Sequence, residues 1–328
     1  MKIRNRVMLV SVALFVLVST GCESLTDPDD DVDEGQLKSE IEAFITEEDS
    51  LFSMNDFEDE EEQNLLKSTV EGLGKSNTLR PRRVRRSVDQ LSREHTITVI
   101  EEDSALINFT HTISGSIRVA IDTSDPGDLV PDTVWIKPYE VTTQQNVIVV
   151  KKPYPEEMPS RLQEHLSERH NGWRLHGMSP VIGTTTGTDL TVEYLEIRNV
   201  TKDDTLRLED PLNTFITREE RPYFVISDSV ELELKLANAD DSGERVVAQY
   251  RPWWMRLKKI VRLNDQEISP DVLADDDIYT GGWNLFLRSG LRKVTVDVID
   301  EDLLTVPEAD YNAIFWRVPY YVFPFLPE

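Results

Sequence analysis

Apolar positions follow three rhythms along this chain. Residues 7–18 form an apolar run broken only by Ser11, behind Lys2, Arg4 and Arg6. Leu37, Ile41, Phe44 and Ile45 then recur at i, i+4, i+7 and i+8, which predicts a helix whose face Leu51 and Phe52 extend. A second helix is expected over 56–73, with Leu65, Leu66, Val70 and Leu73 inward and the acids at 58–62 near its start, where the helix dipole favours them. From His95 the rhythm becomes alternation. Strands are expected at 95–100, 105–113, 116–121, 134–141 and 146–151, with turns at 125–127 and 144–146. A short helix at 160–170 and a turn plus strand at 171–176 follow.

The first two strands read as a hairpin. His95, Ile97 and Val99 share one face, and Ile107, Phe109, His111 and Ile113 share another. Those faces meet on one side only if paired residue numbers sum to an even number. A three-residue loop at 102–104 does this, pairing Val99 with Ile107, Ile97 with Phe109 and His95 with His111.

Residues 183–188 (GTTTGT) read as a small-residue hinge. Beyond it nearly all signals are β, at 190–199, 223–226, 230–237, 246–250, 255–263, 283–287, 292–300 and 311–321. Glu231, Glu233 and Lys235 alternate with Leu232, Leu234 and Leu236, a half-buried strand. Turn residues recur between these runs, a cadence that suits a sandwich of two sheets. The expected division is a cleaved leader at 1–21, an acidic disordered tether at 22–36, an α+β domain at 37–183 and an all-β sandwich domain at 190–328.

Charge narrows the partners. The whole sequence carries a formal net charge of −26, and removing the three cations of residues 1–21 leaves −29 on 307 residues. Such a chain repels nucleic-acid phosphates and broad anionic surfaces. The leader has a positive start and an apolar core of 12 residues, too short to span a bilayer, which takes about 20. Its end, Ser19-Thr20-Gly21 before the chain's only cysteine, Cys22, resembles a bacterial lipobox. That resemblance implies lipidation of Cys22 and a protein anchored in the cell-envelope membrane. The acidic run that follows resembles the surface-export signal of some outer-membrane lipoproteins. With Cys22 lipidated, no disulfide is possible, and packing alone must hold the fold.

Two further resemblances concern the fold. Helices followed by antiparallel strands, with Gly172, Trp173 and Leu175 late in the domain, resemble the nuclear-transport-factor-two-like α+β cone. Members of that family include small-molecule isomerases, dehydratases and non-catalytic binding modules. Asp275-Asp276-Asp277 before Tyr279, then Gly290, Val294 and Val296, resemble bacterial immunoglobulin-like modules.

Candidate chemistry is sparse. The histidines His95, His111, His165, His170 and His176 form no metal-ligand spacing. His95 and His111 read either as a proton-moving pair in a cone cavity or as satisfied polar residues at a hairpin end. Asp275, Asp276 and Asp277 lack the alternation of a calcium loop. Arg80, Arg82, Arg83, Arg85 and Arg86 offer a site for an acidic partner, or a solvated helix start paired with the acids at 58–62. Trp253 and Trp254, among Arg251, Arg256, Lys258 and Lys259, suit a protein or carbohydrate partner or a core strand. Residues 323–325 (FPF) read as an exposed contact. The expectation is a binding or scaffolding lipoprotein with no catalytic residues and no cofactor; the alternative is a small-molecule enzyme with His95 and His111 in its pocket. Cys22→Ser should move the protein from the membrane to the soluble fraction, since two acyl chains anchor stably and none does not; a variant that still sediments with membranes contradicts the lipobox.

Overall fold

The computed structural model describes residues 34–52, 54, 80–122, 133–151, 171–217, 222–237, 244–250, 259–265, 276–285 and 290–323. Cys22, the expected helices at 56–73 and 160–170, the turn at 125–127, and Trp253 and Trp254 lie outside them.

Helix α1 (Glu34–Glu47) buries Leu37, Ile41, Phe44 and Ile45, the residues its spacing selects. It takes up the last three positions of the expected tether. One more helical turn, α2 (Asp49–Phe52), follows. The rest of the described chain is β-rich. Strands β1 (Arg80–Glu101), β2 (Ser104–Asp122) and β3 (Thr133–Lys151) are far longer than expected: β1 has 22 residues against the expected 95–100, and β2 and β3 each join two expected strands into one of 19. Polar residues at 114–116 and 144–146 read as breaks in the sequence, yet the strands run through them. Ile113, Ile117, Gln145 and Val147 face inward there, while Ser114, Ser116, Gln144 and Asn146 take the outward positions of the pleat. Arg80, Arg82, Arg83, Arg85 and Arg86, expected as a helix start, stand in β1. That strand ends the sheet order, where Pro81 costs no ladder bond and a bulge between Pro81 and Arg83 absorbs the irregularity.

The β1–β2 hairpin keeps the expected faces and changes the expected partners. A bulge at Val99/Glu101 tightens the loop to Glu102 and Asp103, so Ile97 pairs with Ile107, His95 with Phe109 and Arg93 with His111. His95 therefore does not pair with His111. With no Gly or Asn to mark the turn, the sequence carried no signal for this two-residue slip.

The remaining strands are β4 (Trp173–Met178), β5 (Val181–Thr185), β6 (Val192–Asn199), β7 (Asp204–Leu208), β8 (Ile216–Thr217), β9 (Tyr223–Val225), β10 (Ser229–Leu236), β11 (Glu244–Tyr250), β12 (Lys259–Arg262), β13 (Ile278–Asn284), β14 (Gly290–Asp300) and β15 (Ala313–Phe323), with a turn of helix α3 (Asp302–Thr305) before β15. The large sheet runs β1-β2-β3-β5-β15-β14-β11-β12, and a four-stranded sheet runs β13-β10-β6-β7. Strand β5 pairs with β3 on one side and β15 on the other, so the spans 37–183 and 190–328 share one sheet. Gly183, Thr184 and Thr185, expected as hinge residues, are part of that strand.

Alternation sorts the large sheet into two faces. Ile314, Trp316 and Val318 of β15 join Val246, Ala248, Val294 and Val296 against Leu195, Ile197, Leu232 and Leu234 of the small sheet, which makes a sandwich core. Phe315 and Ala313 point the other way and share a core with Ile113, Ile117, Tyr139, Val181 and Val247. On that second face α1 and α2 cover Ile107, Phe109, Val147, Val149 and Trp173. Strand β11 is consequently buried along its whole length.

Gly183 is needed for packing. A Cβ there would stand 2.1 Å from the Phe315 ring, which lies over the β5 backbone. Gly177 has ordinary room, its nearest neighbour at 3.5 Å. Gly183→Ala should lower stability by about 1–3 kcal/mol in denaturant titrations, with part regained in Gly183→Ala/Phe315→Leu. Gly177→Ala should change little, and equal effects at both glycines would contradict this packing.

Candidate functional site

The helix-covered face of β1–β4 carries two of the residues flagged by the sequence, His95 and His111. Three acids of α1 and α2 meet polar groups of the sheet. Glu40 Oε2 accepts from Lys151 Nζ at 2.8 Å and from Trp173 Nε1 at 3.1 Å. Burial pushes the Glu40 carboxyl up, but these bonds outweigh it and hold the group below the ordinary carboxylate range. His95 Nε2 lies 2.9 Å from both carboxylate oxygens of Glu42. Arg93 pairs with Asp49.

His111 sits deeper, 2% exposed, with Nδ1 3.3 Å from Thr143 Oγ1. The Phe109 ring stands beside both histidines, 5.7 Å from His95 and 6.3 Å from His111, and Phe52 stacks on it at 4.9 Å. Both imidazoles thus share one face, each held by its own partner. Burial drives the His111 pKa down to about 4, and Arg93 adds to the shift while the Phe52 backbone opposes it.

Further along this face the sheet buries polar groups that sequence reasoning missed. Gln249 donates to Asp297, and Arg317 Nη1 lies 3.6 Å from Met54 Sδ. Arg245 is buried with Glu301 at 3.6 Å, and burial pushes its pKa down to about 10. Each occupies an alternate position in a strand apolar on both faces, so the apolar run masked it. Arg86, expected as a partner contact, donates to the Tyr311 hydroxyl and lies over the Tyr139 and Tyr311 rings at 5.7 and 5.4 Å. Arg82, Arg83 and Arg85 have backbone positions in β1, and Trp253 and Trp254 lie outside the described residues. Asp276 and Asp277 form a turn whose backbone N–H groups donate to Asp265. Among the described residues no cluster of three or more His, Cys, Asp or Glu is placed to hold a metal.

A second candidate lies where β9 meets the end of β15. The two strands pair in parallel, Tyr223 with Tyr321 and Val225 with Phe323. Tyr321 lies 4.5 Å from Phe323, and Tyr223 meets Phe323 edge-on at 6.1 Å. Lys202 Nζ rests 4.0 Å above the Tyr223 ring. Asp228 pins this corner, accepting from Asn199 Nδ2 and the Val225 N–H, both at 2.8 Å. Tyr223 stays 37% exposed, with Ile226 exposed three positions on and Val200 exposed two positions before Lys202. Of this edge the sequence flagged only Phe323. Tyr223 sits in a three-residue strand whose partner is nearly 100 positions away.

No family model matches the chain, and no curated protein or solved structure is similar to it. The site is therefore described by its own geometry.

The buried imidazole sets a pH dependence. Its pKa is about 4 in the fold and 6.5 ordinarily, so below pH 6.5 the unfolded chain binds a proton that the fold refuses. This contribution is full above pH 6.5 and lost as pH falls towards 4, about 3 kcal/mol in all. Urea midpoints of the wild type should fall more steeply than those of His111→Gln across that window. Parallel curves would contradict a buried neutral His111.

Proposed function

We propose that this chain is a lipid-anchored cell-envelope lipoprotein whose folded part binds or scaffolds a partner. The observation that carries the reading is the aromatic edge of Tyr223, Tyr321 and Phe323 beside Lys202. Aromatic rings left partly in water at a sheet rim retain burial energy for a contact. They suit a protein or a carbohydrate, both of which aromatic faces grip. The lipobox-like Cys22 and the acidic segment after it support attachment to the envelope, with the fold held off the membrane on a charged spacer.

A helix over the β1–β4 sheet supports a cone-like first part, and the two-sheet core supports an immunoglobulin-like second part. Binding is preferred over catalysis because His95 Nε2, the nitrogen nearest the helices, is tied to Glu42, and His111 is only 2% exposed beneath them. A general base needs free reach to its substrate.

The test uses the soluble Cys22→Ser chain and envelopes of the organism that encodes it. Tyr223→Ser/Tyr321→Ser should lower envelope binding at least tenfold, with the thermal midpoint changed little. Unchanged binding would contradict the edge as the contact.

A further inference from the structure

The outward face of the long sheet changes character at one end. Its positions on β2 are polar from Asn108 to Ser116, and those on β3 from Glu140 to Asn146. Beyond them, at the end away from the β1–β2 turn, β3 turns apolar. Ile136 is 61% exposed and Val134 49%, with Pro138 exposed beside them.

The register sets arginines next to this strip. Ile136 pairs with Arg118, which pairs in turn with Arg85. Val134 pairs with Ala120, opposite Arg83. Directly paired residues share a face of the sheet, so positions 83, 85 and 118 stand on the same side as Val134 and Ile136. Arg86 takes the other side, with Tyr139 and Tyr311. Alternation thus divides the basic run that the sequence flagged: one arginine goes to the core, and two join Arg118 at the tip.

Single apolar residues on a surface need no explanation, but a strip of them backed by unmatched cations does. Arg118 is exposed and makes no ion pair among the described residues. The whole chain has 61 Asp and Glu against 35 Lys and Arg, so a free arginine beside two more arginine positions is out of balance with its surroundings. The tip therefore offers what the rest of this acidic surface does not, an apolar strip and a demand for negative charge.

We propose that this tip docks an acidic segment of a partner protein. The apolar strip on β3 and the arginine row on β2 lie one strand apart, about 5 Å. An extended segment laid between them sends alternate side chains to either side, apolar ones to Val134 and Ile136 and carboxylates to Arg118. Position favours a protein over the bilayer. Strand β3 is 19 residues long, about 60 Å at an extended rise. Lys151, at its other end, holds Glu40 of α1, the helix that follows the expected tether. The tip thus points away from the side where the anchor enters. This contact is separate from the aromatic edge and goes beyond the binding reading built on it.

The experiment titrates the soluble full chain, Cys22→Ser, into a fluorescent peptide that alternates Glu and Val. A Lys–Val peptide and phosphatidylglycerol vesicles are the comparisons. Anisotropy should show saturable binding of the acidic peptide that weakens with added salt. Arg118→Glu and Ile136→Ser, both at exposed positions, should each weaken it by about tenfold with the thermal midpoint little changed. Gln144→Ala, in the polar part of the same face, and Tyr223→Ser/Tyr321→Ser, at the aromatic edge, should leave it as it is. No saturable binding, equal binding of the Lys–Val peptide, or indifference to both tip variants would overturn the proposal. Binding to the vesicles without binding to the acidic peptide would overturn it in favour of a lipid surface. Loss of peptide binding in the tyrosine variant alone would move the contact to the aromatic edge and overturn the tip, with the binding reading left standing.

Discussion

Backbone hydrogen bonds between β5 and β15 tie the two halves of this chain into one sheet. Trp316 pairs with Ile182 and Phe315 with Gly183, while β5 pairs on its other edge with β3. Once β15 is placed between β5 and β14, its alternation decides two cores at once. Trp316 and Val318 go to the sandwich, and Phe315 goes to the core under the long hairpin. Gly183 is then forced to be small, because Phe315 lies across it. Without a disulfide, such two-sided burial is the principal constraint holding the halves in register.

Helix α1 was legible because its i, i+4, i+7 spacing is local and its burial matches it residue by residue. The faces of the first hairpin were legible for the same reason: alternation fixes which side each residue takes. Its register was not, since Glu102 and Asp103 carry none of the usual marks of a two-residue turn. The long strands were cut short in the sequence reading because Ser114, Ser116, Gln144 and Asn146 are letters of turns as well as of an exposed sheet face. Gly183 misled for a similar reason. A glycine required by a distant phenylalanine looks, in sequence, like a glycine required by a bend.

The sites show the same division. His95 and His111 share a face, as alternation implies; their partners, Glu42 and Thr143, come from other elements. The aromatic edge depends on a parallel pairing between residues nearly 100 positions apart. Gly282 lies opposite Glu231 through the β10–β13 register, where a Cβ would meet the Val230 carbonyl at 2.8 Å. Nothing local to residues 281–282 says that the glycine answers to a close approach from another strand.

Native-state hydrogen exchange at β5 tests the central claim most directly. Amides of Ile182 to Thr184 should be protected as strongly as those of Phe315 to Arg317 and should open with them in one cooperative unit. Exchange of the β5 amides at the rate of an exposed linker, with β15 still protected, would contradict a sheet shared by the two halves.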